Sequence, residues 1–486
     1  MIKYQSMKNE EKFEKTGMGS LLFPIITAVG MGFILFFKDR NVAYSYLVAL
    51  IPILLLIGAV GTWLYNRDAD MKLFGAIACL SSIGVGLQMY IDARYVTLTT
   101  FSLPKLLVGI VIAGCFIVFY RMIRKLLTYN ITSHILMVVS ALLYGILVFK
   151  GIDPNGYGTS AWIRLGSITV QLTDFTKICA VLYYAALFAA KKPREDKAVL
   201  LQSSLFFGIN LAGSVLIREL GSFLILLFLH LSILFIFMRR STFKRIYLIV
   251  LFCSIFGAVA MSFLLYHLIS PAHDAGTMNS VEALLWPIIN KVHQRFSVTA
   301  NINADPYGSG YQLYQGRKAL WMAGLFGNTV NFTAIPVAES DMAFVALVNS
   351  FGWLLGIFVL VCFTRIVISG CILSLRLVHI QLQDSIVLFA STTMLFLQAM
   401  IVILGSCNVI PFTGLPIPFL SRGGTYQAIV FCFCGLLLLA SEHGGNRLID
   451  RNTQGKQIQE TEETQDHLTI QEEDEDADTQ TLKIGF

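Results

Sequence analysis

Long apolar runs recur along this chain, and they restrict the folds open to it. About twelve windows approach the length that a helix needs to cross ~30 Å of hydrocarbon. They lie at 21–37, 43–65, 73–91, 106–120, 135–148, 175–190, 200–217, 220–238, 246–269, 342–366, 386–405 and 426–440. With 14% charged residues and a mean hydropathy of +0.69, the chain is no ordinary soluble globule. We expect an all-α polytopic membrane protein with about twelve transmembrane helices.

The basic residues indicate how these helices are oriented, because Lys and Arg in short loops stay on the cytoplasmic side. Three basic clusters follow the fourth, sixth and eighth windows: Arg121, Arg124 and Lys125; Lys191, Lys192, Arg194 and Lys197; Arg239, Arg240, Lys244 and Arg245. This pattern predicts a cytoplasmic N-terminus at 1–17, a transmembrane domain at 18–441 and a large extracytoplasmic loop at 270–341. Lys38 and Arg40 are exceptions, because they follow the first window.

The C-terminal residues 442–486 differ sharply from the rest of the chain. From Lys456 to Phe486 there are ten acidic residues and two lysines, a local net charge of −8. Such a segment buries too little apolar surface to fold. We therefore predict a disordered acidic tail in the cytoplasm. The positive charge of the remaining chain is explained by membrane topology, so we expect no nucleic-acid partner.

The polar loop at 270–341 is the longest interruption of the apolar pattern, and it contains the Gly-rich run Asp305 to Gln312. Closely spaced glycines let the backbone approach a ligand, and Arg and Lys pair naturally with phosphate. Its candidate ligand residues are Arg295, Asp305, Tyr311, Gln312, Gln315 and Lys318. A solvated loop with ordinary turns accounts for the same residues equally well.

Ser340 and Asp341 end that loop, directly before the apolar window at 342–366. Taken alone, this position favours a helix N-cap over a catalytic carboxylate. Glu339 places a second carboxylate beside them. The residue pattern therefore leaves the role of Asp341 open.

Two shorter polar segments lie on the same predicted side of the membrane. Asp174 and Lys177 stand one helical turn apart at the mouth of the sixth window, where an opposite charge makes a lysine tolerable at the membrane edge. Asp174 alone is also explained as a helix cap. Glu219 precedes the eighth window, where its charge suits the helix dipole or simply marks a surface turn.

The segment from Pro411 to Thr425 lies between the last two windows. Its three prolines and three glycines exclude a regular helix. At membrane depth, irregular backbone is tolerated where it lines a cavity enclosed by protein. Arg422, within this segment, is a candidate ligand for an anion.

Together these motifs resemble the SEDS family (shape, elongation, division and sporulation), whose members RodA and FtsW polymerise the glycan strands of peptidoglycan. The resemblance covers about 158–441. It rests on the Asp305 to Gln312 run with Gln315, Ala319, Gly324 and Gly327 at the family's spacing, and on Arg295 at the family's distance before it. The segment from Pro411 to Gly424 is similar to the family signature Pro-x-x-Gly-x-Pro-x-Pro-x-x-Ser-x-Gly-Gly.

The resemblance implies roles for individual residues. Asp341 takes the position of the family's catalytic aspartate. The implied substrate-binding residues are Arg295, Asp305, Tyr311, Gln312, Gln315, Lys318, Asp174, Lys177, Glu219, Ser421 and Arg422. The chain departs from the family pattern at Ala161, Leu172, Asn349, Ser350 and Arg422. Two added N-terminal helices also precede a core of about ten helices that is usual in the family.

The implied reaction joins lipid II units. Asp341 takes the proton of a sugar 4-hydroxyl, the anomeric carbon inverts, and undecaprenyl pyrophosphate is released. Arg295, Lys318, Arg422 or a divalent cation, Mg²⁺ or Mn²⁺, would balance the charge of the leaving group.

The resemblance also implies a setting. The expected partners are a class B penicillin-binding protein, which is a transpeptidase, and other divisome or elongasome membrane proteins. The expected location is the bacterial plasma membrane, with both termini cytoplasmic and the active site outside. Buried charges and broken helices suit a lipid II flippase equally well, and a non-catalytic scaffold of a cell-wall synthase is the third alternative.

Overall fold

A computed structural model describes residues 18–94 and 102–442, apart from positions 155, 157, 167, 192, 193, 240, 331 and 423. Within these residues the α-helices are α1 (Leu22–Lys38), α2 (Arg40–Tyr65), α3 (Met71–Arg94), α4 (Ser102–Ile123), α5 (Asn130–Lys150), α6 (Leu172–Phe188), α7 (Asp196–Leu216), α8 (Leu220–Phe237), α9 (Thr242–Asp274), α10 (Ser280–Ala300), α11 (Tyr311–Trp321), α12 (Ala343–Phe351), α13 (Trp353–Leu377), α14 (Leu382–Ser406) and α15 (Gly424–Ser441). Strands β1 (Trp162–Leu165) and β2 (Ile168–Gln171) pair antiparallel. The predicted N-terminal segment 1–17 and all of the predicted tail except Glu442 lie outside the described residues.

The expectation of an all-α polytopic membrane protein is confirmed. Among the described residues, nine helices are long and apolar enough to cross a membrane: α1, α2, α3, α5, α7, α8, α9, α13 and α14. The windows at 106–120, 175–190 and 426–440 correspond to α4, α6 and α15, which do not meet the same criterion over their described residues. The total of about twelve spans therefore stays a prediction.

Helix α3 lies at the centre of the bundle. In its most apolar stretch 94% of the residues are buried, which is typical of a helix that has neighbours on all sides. It packs against α1, α2 and α13. Helix α9 is the opposite case, because its most apolar stretch has no buried residue and it packs mainly on α10. The bundle thus has a protected centre and one loosely attached outer helix.

The apolar window at 342–366 forms two helices, not the single span that its composition predicted. Helix α12 ends at Phe351, and α13 begins at Trp353. Between them Gly352 has a φ of 91°, a conformation that glycine adopts without steric cost. A side chain there would overlap the backbone of Leu325. The break therefore exists because the preceding loop packs into the junction, and it makes α12 a short helix directly after the Asp341 segment.

The predicted extracytoplasmic loop at 270–341 is largely helical. Helix α9 continues to Asp274, and α10 and α11 occupy much of the remainder. A capping box starts α10, since Asn279 accepts from the Glu282 amide and the Glu282 carboxylate accepts from the Asn279 amide. Helix α11 follows the Gly-rich run, with Gly310 as its N-cap residue. The segment at 270–341 is thus built mainly from the end of α9 and from α10 and α11, and is not an irregular loop.

Candidate active site

A cavity of about 1590 Å³ lies between the outer helices and the polar segments. Its walls come from α7, α8, α9 and α10, from the β hairpin, and from the segments before α12 and before α15. Its charged lining residues are Glu219, Lys291, Arg295, Glu339, Asp341 and Arg422. Most other lining residues are apolar. The cavity therefore suits a ligand with one charged and one apolar part.

Asp341 lines the charged part of this cavity and is 7% exposed. The Ser340 hydroxyl donates to its Oδ1 at 2.9 Å. A Cβ at Gly414 would stand 3.5 Å from its Oδ2, so the Pro-rich segment (411–424) approaches the carboxylate with bare backbone. Helix α12 has Met342 at its N-cap position and no capping side chain. Asp341 is therefore a cavity residue and not the cap of this helix.

The environment of Asp341 is that of a weakly acidic carboxyl. Burial raises the pKa of Asp341 to about 6. That value already includes the Ser340 hydrogen bond and the charge of Arg295, which lower the pKa of Asp341, and the Glu339 carboxylate, which raises it. A base whose pKa is near the working pH combines sufficient ionisation with real proton affinity. Asp341 therefore has the properties expected of a general base.

Helix α10 contributes two cations to the cavity. Lys291 and Arg295 are four residues apart, so they lie on the same face of the helix. Arg295 donates to the carbonyl of Phe412, and Lys291 Nζ donates to the carbonyl of Arg218 at 3.1 Å. Burial, together with the charge of Arg295, lowers the pKa of Lys291 to about 8. Lys291 was not singled out from the sequence, although its helical spacing to Arg295 was an available signal.

The Pro-rich segment is held against residues 339–341 by hydrogen bonds to the backbone. Ser421 Oγ donates to the Ser340 carbonyl at 2.7 Å and accepts from the Ile417 amide at 2.7 Å. The Arg422 amide donates to the Glu339 carbonyl at 2.5 Å. Ser421 thus joins the Pro-rich segment to the backbone of Ser340, and its contact with substrate stays a prediction.

Two residues of α3 that the sequence did not single out, Gln88 and Asp92, hold the segments that line the cavity. Gln88 Nε2 donates to the carbonyls of Glu339 at 3.1 Å and Leu420 at 2.5 Å. One turn further, Asp92 forms an ion pair with Arg422, whose side chain is 9% exposed. The sequence suggested that the positive charge of Arg422 binds an anionic ligand, and in the structure this charge is paired with Asp92. Two polar residues four apart at the end of an apolar window were the signal for this site.

Asp174 and Lys177 form a buried pair behind the cavity wall. Lys177 Nζ donates to Asp174 Oδ1 at 2.7 Å and to Gln398 Oε1 at 3.1 Å. Gln398 in turn donates to the hydroxyl of Tyr426 at 2.8 Å, and Tyr426 lines the cavity. Asp174 lies in the first turn of α6, which begins at Leu172. The pair supports the wall, and its predicted contact with substrate is untested.

Glu219 precedes α8 and lines the same cavity as Asp341. Its Oε1 accepts from Ser222 Oγ at 2.5 Å and from Gln171 Nε2 at 3.3 Å. Burial raises the pKa of Glu219, and the charge of Lys177 lowers it. The structure therefore brings this predicted site residue to the cavity, within a network of polar side chains.

Asp305 shapes the turn that leads into α11. Its carboxylate accepts from the amides of Gly308 at 3.0 Å and Ser309 at 2.7 Å, and from the Ser309 hydroxyl at 3.0 Å. These bonds, led by that from the Ser309 amide, lower the pKa of Asp305. The predicted ligands Tyr311, Gln312, Gln315 and Lys318 follow on α11. Among the described cavity-lining residues none comes from 305–318, so these predicted ligands do not line the cavity that contains Asp341.

The fold and the site define a class: a multi-pass membrane protein with a buried carboxylate in a part-apolar, part-charged cavity. The chain matches the family model for FtsW, RodA and SpoVE, described as cell cycle protein, over residues 64–445. Since the match covers more than half of the chain, the protein belongs to this family. The SEDS resemblance found in the motifs is thereby confirmed.

Relatives of the chain agree with this membership. They include a probable peptidoglycan glycosyltransferase FtsW from Enterococcus hirae, 25% identical over 81% of this chain and 96% of the relative. Stage V sporulation protein E of Bacillus subtilis is 24% identical over 68% and 84%, respectively. Peptidoglycan glycosyltransferase RodA of Mycobacterium tuberculosis is 24% identical over 87% and 84%.

Solved structures share the fold. A chain from a peptidoglycan synthase complex, described as coordinating polymerization and crosslinking, covers 77% of this chain and 98% of its own length with a TM-score of 0.58 and 19% identity. Rod shape determining protein RodA of Thermus thermophilus, as a mutant, gives a TM-score of 0.50 at 18% identity, with the same coverage of 77% and 98%. At such identities these structures support the fold alone.

Proposed function

We propose that the protein is a peptidoglycan glycosyltransferase that polymerises lipid II into glycan strands. The observation that carries this proposal is Asp341, a buried carboxylate in the charged part of a cavity whose other walls are apolar. Lipid II joins a polyprenyl chain to a pyrophosphate and a disaccharide-peptide, so it requires both kinds of surface. The relatives named as peptidoglycan glycosyltransferases support the same activity.

Asp341 acts as the general base. Its carboxylate accepts the proton of a sugar 4-hydroxyl while that oxygen bonds to the anomeric carbon of a second lipid-linked sugar. The bond between this carbon and the pyrophosphate breaks, and undecaprenyl pyrophosphate leaves with the electron pair. Attack from the face opposite the leaving group inverts the anomeric carbon, without a covalent sugar-enzyme intermediate.

Lys291 and Arg295 stabilise the leaving pyrophosphate. Both line the cavity and share one face of α10. Fixed positive charge is most effective where negative charge develops in a water-poor site. Lys318, another cation that the sequence suggested, has its ammonium 4.4 Å from the ring centroid of Tyr314. The pair on α10 is therefore the better placed source of charge.

A divalent cation is a further source of positive charge in this proposal. Glu339 places a second carboxylate at the cavity beside the general base, and Mg²⁺ in phosphate-handling sites is commonly held by one or two carboxylates together with substrate oxygens. Among the described residues no group of three His, Cys, Asp or Glu side chains is placed to hold a metal. Substrate oxygens would thus complete the shell, and bound Mg²⁺ or Mn²⁺ would offset the charge of the leaving group.

The polyprenyl chain lies along the apolar wall of the cavity. This wall includes Phe207, Leu211, Leu224, Leu251, Ile255 and Val259. Residues 251–259 belong to α9, the outer helix with few neighbours. A polyprenyl chain on this wall is shielded from water and from the polar part of the cavity. The chain can therefore stay within the membrane while its pyrophosphate reaches the charged residues.

We place the cavity on the outer side of the bacterial plasma membrane, with both termini in the cytoplasm. Arg121 pairs with Glu442 at 3.0 Å, so the basic end of α4 and the end of α15 lie together, and basic loops stay inside. The expected partner is a class B penicillin-binding protein, with other divisome or elongasome membrane proteins. The synthase complex that shares the fold supports pairing of polymerization with crosslinking.

The test is direct polymerisation. Purified protein is mixed with fluorescent lipid II, with and without a class B penicillin-binding protein, and the glycan chains are resolved on a gel. We expect chains from the parent and none from Asp341→Ala. Asp274→Ala is the matched control, because Asp274 is 76% exposed at the end of α9, and it should polymerise as the parent does.

Each alternative gives a different outcome. If Asp341→Ala polymerises as well as the parent, the catalytic assignment is wrong and a scaffold role is favoured. If the parent moves lipid II between the leaflets of a vesicle but forms no chains under any condition, a flippase replaces the polymerase.

A further inference from the structure

The corner between α1 and α2 contacts the loop at 270–341, which ends at Asp341. Lys38 ends α1, and its Nζ donates to the carbonyl of Gly327 at 2.7 Å. The family match begins at residue 64, so this contact comes from a part of the chain that precedes the shared region. The ammonium of Lys38 is thus occupied by the loop, which gives a physical reason for a lysine that breaks the basic-residue pattern.

Asp39 makes a second contact, through helix α3. It caps α2, and its carboxylate lies 3.9 Å from the guanidinium of Arg94. That guanidinium lies over the ring of Tyr90, 5.0 Å from its centroid. The Tyr90 ring in turn contacts Phe332 and Phe351, with centroid separations of 5.7 and 5.2 Å. Phe351 is the last residue of α12, so this contact reaches the end of that helix.

The turn at 324–329 is hydrogen-bonded to the same C-terminal end of α12. The amides of Asn328 and Thr329 both donate to the carbonyl of Asn349 at 3.1 Å. The side-chain amide of Asn349 donates to the carbonyls of Ala319 at 2.9 Å and Val330 at 2.7 Å. A residue that departs from the family pattern is therefore the bridge between the turn and α12. A displacement of the turn must displace α12 or break these bonds.

Helix α12 connects this turn to Asp341. All nine of its residues are buried, and nine residues at 1.5 Å each span about 14 Å. A short helix in a close-packed environment transmits displacement instead of absorbing it. Its N-cap residue, Met342, directly follows Asp341. The position of the carboxylate thus depends on how firmly the far end of α12 is held.

We infer that the corner formed by Lys38 and Asp39 is a built-in brace for Asp341, and that these two are positioning residues. Lys38 holds the turn and Asp39 holds the aromatic contacts, and both act on the C-terminal end of α12. The kinetic part of this inference rests on the proposed polymerase function, whereas the mechanical part concerns the fold alone. The added N-terminal helices are therefore part of the active-site architecture.

Lys38→Met tests the brace, because methionine keeps the length of the side chain and removes the donor. Arg40→Met is the matched control, since Arg40 is exposed and its guanidinium lies 5.5 Å from the ring centroid of Phe36 on α1. The first readout is hydrogen exchange in the full-length protein. We expect exchange at the amides of Asn328 and Thr329 to be about tenfold faster in Lys38→Met, in line with the loss of one hydrogen bond, and unchanged in Arg40→Met.

The second readout is the kinetics of polymerisation. Lys38→Met should lower kcat about tenfold and leave KM within about twofold, because misplacing a reacting group by ~1 Å can cost ~100-fold in rate. Lys38→Arg, which restores a donor, should recover both the exchange rate and kcat. A purely structural role would lower the amount of folded protein and leave kcat per folded molecule unchanged.

Each outcome decides one part of the inference. Unchanged exchange in Lys38→Met overturns the brace, whatever the activity. Faster exchange with the parent's kcat overturns the positioning role. If the parent forms no glycan, the proposed function fails, while the exchange comparison still decides the brace. If Lys38→Met does not fold, Asp39→Asn is used, and unchanged exchange at Phe332 and Phe351 overturns the brace from its second contact.

Discussion

Replacing Asp341 by Asn should abolish polymerisation and stabilise the fold at the same time. Burial raises the pKa of this carboxyl from 3.8 to about 6, so the folded protein disfavours the charged form. The ionised carboxylate therefore costs folding free energy in full above pH 6. This cost disappears below about pH 3.8, where the carboxyl is protonated in both states. Asn keeps the shape of the side chain and removes the charge.

The magnitude follows from the size of the pKa shift. About two units at roughly 1.4 kcal/mol each give about 3 kcal/mol at neutral pH. Part of this gain is lost, because Arg295 no longer faces a negative charge. We therefore expect Asp341→Asn to raise the free energy of unfolding by about 1–3 kcal/mol at pH 7.5. Near pH 4 the difference from the parent should be close to zero.

The assay compares thermal unfolding of the parent, Asp341→Asn and Asp274→Asn in one detergent at several pH values, alongside glycan formation. Asp274 is 76% exposed, so its amide variant should unfold like the parent at each pH. The unfolding midpoint of Asp341→Asn should exceed the parent's at pH 7.5, and the gap should close as the pH falls. A lower midpoint at pH 7.5, or glycan chains from this variant, would refute the reasoning that burial destabilises an essential carboxylate.

Four further predictions concern the charges around the cavity. Polymerisation should have a bell-shaped profile of kcat/KM, falling tenfold per pH unit below about pH 6 as Asp341 is protonated and falling again above about pH 8 as Lys291 loses its charge. Lys291→Met should remove the alkaline limb and lower kcat about 10- to 100-fold in the same assay. Arg295→Met should shift the acid limb to higher pH, because Arg295 lowers the pKa of Asp341. Asp92→Asn should lower the stability by about 3 kcal/mol in thermal unfolding, since Arg422 loses the charge of its ion-pair partner at a nearly buried position.

The helices were largely predictable, because the thickness of hydrocarbon sets the length of an apolar run that crosses it. The break at Gly352 was not predictable from composition. Apolar residues continue on both sides of it, and its cause is the contact with the backbone of Leu325. The helices within the loop at 270–341 were missed for a related reason. Helix α11 has a polar face and only 11 residues, so apolar length gives no signal for it.

The site was only partly predictable. Residue pattern alone favoured Asp341 as a cap, and the family resemblance assigned it to catalysis; the structure then places it at a cavity together with Glu219 and Arg295. Lys291 was missed because α10 was not predicted as a helix, so the four-residue spacing from Lys291 to Arg295 was not used. The predicted ligands on α11 are not among the described residues that line this cavity, since sequence proximity within a loop does not fix which side chains face one cavity; their contact with substrate stays a prediction.

Helix α3 connects the corner at Lys38 and Asp39 to the segments around Asp341 through two faces of its last turns. Gln88 and Asp92 are one turn apart and contact the backbone and side chains of the Pro-rich segment. Tyr90 and Arg94, also one turn apart, contact the end of α12 and the corner. Gln88 also holds the carbonyl just before Ser340. The segment that carries Asp341 is therefore held at both ends by one buried helix. Such preorganisation is what the proposed role of Asp341 as a general base requires. This requirement gives a physical reason for Gln88, Asp92 and Arg94 near the C-terminal end of a helix whose most apolar stretch is 94% buried.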